Sequence, residues 1–112
     1  MKICLIGDSL TNLVLAKNLL SRKIKIELLY KEIKKNNNTS RTLGISRENI
    51  DYLNNNICDL KNLGWGIKKI KVFKENDKKN EILNFGSYNK ELFSTISYNK
   101  LFNKLNSLLL KE

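Results

Sequence analysis

A change of hydrophobic period at Gly7 constrains this chain more than any other feature. Ile3, Cys4, Leu5 and Ile6 form a continuous apolar run that stops at Gly7. Such a run fits a strand buried on both faces, as in a parallel sheet covered by helices. From Leu10 the spacing turns helical: Leu13, Ala16 and Leu20 share one side, widened by Leu10, Val14 and Leu19. Ile24, Ile26, Leu28 and Tyr30 then alternate with Lys25 and Glu27, the pattern of a second strand. Strand, glycine turn, helix and strand in such close succession predict a parallel βαβ unit with the usual right-handed crossover.

The rest of the chain is less regular. Lys31 to Ser40 reads as a polar, basic connection containing three consecutive Asn. Ser46 is placed to cap a helix whose apolar positions are Ile50, Leu53 and Ile57. Ile67 to Phe73 and Glu81 to Phe85, flanking the polar Lys74 to Asn80, predict a hairpin. Leu92 to Ser97 is a further strand candidate, and Leu101, Phe102, Leu105, Leu108 and Leu109 line one face of a final helix. No internal repeat or linker breaks the 112 residues into parts.

The residue inventory excludes much chemistry. Without His there is no Ser-His-Asp triad, no His-ligated zinc and no imidazole base. Cys4 and Cys58 are too few and too far apart for a zinc ribbon or a CxxC pair, and Cys4, in its apolar run, is expected to be a reduced core thiol. No secretory signal and no span of about 20 apolar residues is present. The net charge of +10 comes mainly from Lys, which with Asn and Ile dominates the composition, whereas Arg numbers three. That pattern reflects AT-rich codon usage more than a polyanion-binding surface.

The turn Gly7-Asp8-Ser9-Leu10-Thr11-Asn12 sits where a dinucleotide fold carries G-x-G-x-x-G. That motif needs a tight turn, close backbone approach and helix N-terminal amides facing a pyrophosphate. Only its first glycine is present. Ser9 stands at the second position, small enough to donate a hydroxyl yet narrowing the gap. Asn12 stands at the third and is expected to loosen the helix–strand contact. The ribose-binding acid of the motif falls near Tyr30, with Glu32 two residues later. Tyr30 is read either as a contact to an adenosine or as an amphipathic strand end, and Glu32 either as a ribose ligand or as a solvated side chain.

At Arg41-Thr42-Leu43-Gly44-Ile45-Ser46 a second anchor appears. A βαβ start, this segment and a following apolar helix resemble the flavin-dependent aromatic hydroxylases of ubiquinone biosynthesis, in which a similar Arg-Ser/Thr-Leu-Ala-Leu-Ser stretch follows the second strand. Trp65-Gly66-Ile67-Lys68-Lys69-Ile70-Lys71-Val72 resembles their next segment, a Trp leading into a substrate-side strand, and Leu92 to Leu105 resembles the strand and helix after it. The chain departs from the family at Ser9, Asn12 and Tyr30, and at Asn99, where an Arg near the flavin is usual. The family's later Asp-Gly and Gly-Asp segments do not occur in it.

The resemblance implies an α/β fold: a Rossmann-like FAD-binding βαβ start, then helices and a small β hairpin or sheet, incomplete, with residues 1–112 as one partial FAD/NAD(P)-binding domain. It implies FAD as cofactor and NAD(P)H as reductant of a monooxygenase that hydroxylates a phenolic ubiquinone precursor. Gly7, Ser9 and Leu10 would face the pyrophosphate, Tyr30 the adenosine half, and Arg41 would add positive charge, its alternative being an exposed surface arginine. The chain by itself is expected to be an inactive N-terminal portion that holds FAD poorly and self-associates through an unfinished sheet edge. Its expected location is the cytoplasm, with peripheral attachment at the inner membrane face as a variant. Two other readings stand beside this one: another nucleotide-binding βαβ protein, and a small basic nucleic-acid-binding protein. Diffuse Lys and no RNA-binding fingerprint argue against specific nucleic-acid recognition.

Overall fold

A computed structural model describes residues 1–31, 41–86 and 89–111. In chain order its elements are β1 (Lys2–Ile6), α1 (Leu10–Ser21), β2 (Lys25–Leu29), β3 (Thr42–Ser46) and α2 (Arg47–Asn56). Then follow β4 (Gly64–Ile67), β5 (Lys69–Lys74), β6 (Asp77–Gly86), β7 (Phe93–Ser97) and α3 (Tyr98–Leu109). The fold is mixed α/β, as expected.

β1 and β2 are parallel, paired from Lys2 with Lys25 to Ile6 with Leu29, and α1 makes the crossover. The βαβ unit read from the period change is therefore present. Among the described residues its sheet has these two strands, and burial alternates along both. Ile3, Leu5, Ile26 and Leu28 lie on the half-buried face, while Lys2, Cys4, Ile6 and Glu27 face out. On the outer face Lys2 Nζ and Glu27 Oε2 pair at 2.7 Å, and Ile6 is 83% exposed. This corrects the expectation of a strand buried on both faces with Cys4 in the core. Only one face is covered, so period 2 puts Cys4 in solvent. The buried thiol is Cys58.

α1 begins at Ser9, whose Oγ accepts from the Asn12 backbone N–H at 3.3 Å. It ends with Lys23 in the left-handed region, φ +61°. There the N–H groups of Lys23 and Ile24 satisfy the carbonyls of Leu20 and Leu19, at 2.9 and 3.2 Å. That is a Schellman termination, with Lys where Gly is usual. Ser46 caps α2 as the sequence suggested, accepting from Asn49 N–H at 3.3 Å, with Glu48 in the first turn.

Arg41-Thr42-Leu43-Gly44-Ile45-Ser46 contributes β3, which pairs antiparallel with β7, and β7 pairs on its other side with β4. β4 can approach because residue 64 is Gly: a Cβ there would lie 2.5 Å from Ile96 Cγ1. Ile67 belongs to β4, so the expected strand 67–73 is divided, and Trp65 sits within a strand, 81% exposed. β5 and β6 form the expected hairpin, with a much tighter turn because β6 starts at Asp77.

Leu13, Leu53, Ile57, Cys58, Leu60, Ile96, Leu101 and Leu105 form the core, where α1, α2 and α3 meet the inner face of β7. The radius of gyration, 17.9 Å, exceeds the roughly 13 Å of a compact chain this long. The excess fits the β5–β6 hairpin, whose residues are mostly exposed. No helix among the described residues is long and apolar enough to cross a membrane.

Candidate functional site

The site is built around the end of β1. Gly7 continues the parallel ladder, donating its N–H to Leu29 O at 2.7 Å, and then turns with φ +99°. Glycine takes this conformation without the steric cost other residues meet. Ser9 is extended, at φ −62° and ψ 155°, and its carbonyl accepts the Leu13 N–H at 3.0 Å. The first helical amides, of Leu10 and Thr11, are left without partners inside the helix and face its open end. Ser9 Oγ accepts from the helix while its own O–H remains able to donate.

Asn12 behaves differently from expectation. Its side-chain Nδ2 donates to Ile6 O at 2.8 Å and to Gly7 O at 3.0 Å. It spans the gap between helix and strand instead of leaving it loose. Sequence reasoning read the residue only as a missing glycine, since nothing in composition or spacing reveals which way a carboxamide points.

Tyr30 follows Leu29 directly, half exposed, at the side of the turn. Arg41 is exposed and precedes β3, and its carbonyl accepts the Tyr98 N–H at 2.8 Å. Arg41 thus lies beside the start of α3, where Asn99 is the second residue. Gly7, Ser9, Leu10 and Tyr30 gather at one turn, and Arg41 belongs to a second corner. Glu32 and most of the connection from Lys31 to Ser40 lie outside the described residues.

A groove of about 530 Å³ starts at the N-terminal turn of α1. Leu10 and Val14 of α1, Leu43 and Ile45 of β3, and Asn49 and Tyr52 of α2 line it. Asn18 Nδ2 donates to the Tyr52 hydroxyl, tying α1 to α2. Leu10 alone among these was read as a binding residue from the sequence, because only the packing of three distant segments makes them neighbours. Val14 was read as part of a helix face, and Leu43 and Ile45 as part of the second anchor. A second cleft, of about 370 Å³, brings exposed Arg47 and Lys68 together with Asp51 and Glu91. Its mixed charges favour no single ligand sign. No cluster of three metal-ligating side chains occurs among the described residues.

An anion at the Gly7 turn meets the amide end of a helix, and the adjoining groove of about 530 Å³ offers apolar side chains from α1 and β3. The backbone therefore fits a nucleotide that joins a pyrophosphate to an aromatic system. Asp8, within the turn, adds a negative charge that works against the phosphate.

No family model matches this sequence, and no curated protein matches it. Among solved structures the chain is similar to 2,6-dihydroxypyridine-3-hydroxylase from Arthrobacter nicotinovorans, with a TM-score of 0.70 at 13% sequence identity. The match covers 96% of this chain and 26% of that one, so the chain spans about a quarter of its neighbour's length. What is shared at this identity is fold: nearly the whole chain has the α/β architecture found within a hydroxylase of a dihydroxylated aromatic ring.

Proposed function

We propose that residues 1–112 are a FAD-binding portion of a flavin-dependent aromatic hydroxylase. The observation that carries this is the Gly7 turn, at positive φ between parallel strands, opening at α1 onto the apolar groove. Support comes from the fold shared with a ring hydroxylase and from the Arg41 to Ser46 segment, which forms β3 beside the groove. The amides of Leu10 and Thr11, with the Ser9 hydroxyl, hold the pyrophosphate, and the positive φ of Gly7 lets the backbone approach it. Tyr30 stands beside the adenosine half. Arg41 adds positive charge at the corner it shares with Asn99. When bound, FAD reduced by NAD(P)H supplies the oxygen chemistry, which explains how a chain without His serves such a reaction. The substrate class proposed is an electron-rich phenolic ring, of the ubiquinone-precursor type.

Calorimetric titration of the 112-residue chain with FAD tests the reading, with ADP as competitor. Saturable binding displaced by ADP is expected, with a Kd weaker than about 10 µM, because one turn opposed by Asp8 holds the phosphates. The absence of saturable binding by either nucleotide overturns the reading. Tight, sequence-discriminating binding of RNA or DNA at moderate salt would favour a nucleic-acid protein instead.

A further inference from the structure

We propose that Asn12 is a positioning residue for the phosphate-binding turn, doing with a side chain what a dinucleotide turn does with glycine. This rests on the FAD reading above and concerns the same site. Asn12 joins three parts of the turn. Its carboxamide nitrogen donates to the last carbonyl of β1, Ile6 O, and to the carbonyl of Gly7, at 2.8 and 3.0 Å. Its backbone N–H is held by Ser9 Oγ at 3.3 Å.

Two consequences follow. In a trans peptide the C=O and N–H point in opposite directions. Holding Ile6 O toward the helix sends the Gly7 N–H the other way, into its bond with Leu29 O at 2.7 Å. The clasp and the ladder therefore fix the peptide plane at the strand end from both sides. Because Asn12 lies in the first turn of α1, this also fixes where the Leu10 and Thr11 amides stand relative to β1.

The second consequence is electrostatic. A carbonyl oxygen aimed at a phosphate repels it, and the two carbonyls nearest the turn are engaged by the Asn12 donor. An incoming anion then meets amide hydrogens with less opposing carbonyl charge. Restoring glycine at position 12 removes this clasp, so the variant closer to the dinucleotide fingerprint is the weaker binder.

The test compares the wild-type chain with Asn12→Gly, Asn12→Ala and Asn12→Asp. Calorimetry with ADP is combined with amide chemical shifts during a titration with inorganic pyrophosphate. Affinity for both probes is expected to fall about tenfold in the Gly and Ala variants, as two hydrogen bonds are lost. It is expected to fall further in Asn12→Asp, whose carboxylate cannot donate and repels the phosphate. The pyrophosphate-induced shifts of Leu10 and Thr11 should shrink while the core amides of Leu101 and Leu105 keep their wild-type positions. Unchanged core shifts exclude general unfolding as the cause. If the wild type binds and Asn12→Gly binds as tightly or more tightly, the inference is wrong and the FAD reading stands. If the wild type binds neither probe, the FAD reading fails and this inference goes with it.

Discussion

Cys4 and Cys58 show how the surroundings of one residue type set its chemistry. Cys58 sits in the core, and burial raises its thiol above the usual value near 9.0, so less thiolate is present at any given pH. Cys4 points into solvent from the uncovered face of β1. Alkylation with iodoacetamide at neutral pH should therefore modify Cys4 in the native protein and reach Cys58 only on denaturation. Peptide mass mapping reads the order, and equal native rates would contradict the burial described. The sequence placed Cys4 inside because its neighbours are apolar, but one covered face is enough to reverse that. The glycine of the Gly7 turn was legible, since a positive φ next to a strand calls for that residue. The Asn12 clasp was not, because it depends on a side-chain direction that no spacing encodes.

Elements were legible where period or capping is local. The βαβ start, the Ser46 cap and the apolar stripe of α3 need no information beyond their own windows. The β3–β7–β4 sheet was not legible. Its strands come from segments far apart, Gly44 interrupts the pattern of β3, and Gly64 and Gly66 interrupt that of β4. The C-terminus of α1 offers an element-scale test. Lys23 carries the left-handed position of the Schellman turn with φ +61°, where a Cβ costs about 1–2 kcal/mol. Glycine relieves this but adds entropy to the unfolded chain, so Lys23→Gly should gain a net of about 0.5–1 kcal/mol. Urea denaturation measures it, and a loss of stability would show that the Lys23 side chain contributes more than its backbone strain costs.

The β5–β6 hairpin should respond to acid. The Lys71 ammonium hydrogen-bonded to Glu81 holds that carboxylate below its ordinary 4.5, and Asn80, helped by the Lys79 backbone N–H, holds Asp77 below 3.8. Both values are depressed in the folded chain. Their stabilisation is thus fully present above the ordinary values and is lost as pH falls through the folded ones. Amide exchange in β5 and β6 should quicken below pH about 4, while the core around Ile96 keeps its protection. Exchange that is independent of pH, after correction for intrinsic rates, would show that these pairs do not hold the hairpin. Solvent reaches both carboxylates, Asp77 being half-buried and the Glu81 side chain partly covered, so salt should weaken the effect.

At the scale of the whole molecule, apolar surface and charge oppose one another. The chain extends 58 × 32 × 22 Å, and its hairpin exposes Ile82, Leu83 and Phe85, each at least half accessible. In the hairpin register Ile70 faces Phe85 and Val72 faces Leu83, so these four residues make one apolar face. The outer edges of the β1–β2 pair add backbone groups able to accept a further strand. These features favour self-association. A net charge of +10 on each copy resists it, through repulsion that acts over about 10 Å at 0.1 M salt and shortens as salt is added. Hydrophobic burial does not weaken in the same way, since added salt leaves it unchanged or strengthens it. Association should therefore rise with ionic strength, opposite to a contact made by ion pairs. Sedimentation velocity at about 0.05 M and about 0.5 M salt reads the difference. A growing dimer or oligomer fraction at the higher salt is expected, and Leu83→Lys with Phe85→Lys should return the chain to monomer by breaking the apolar face. A monomer at both salt concentrations would show that the exposed hairpin face and open edges are too small or too well separated to join two copies. Association that falls as salt rises would assign the contact to charged groups instead.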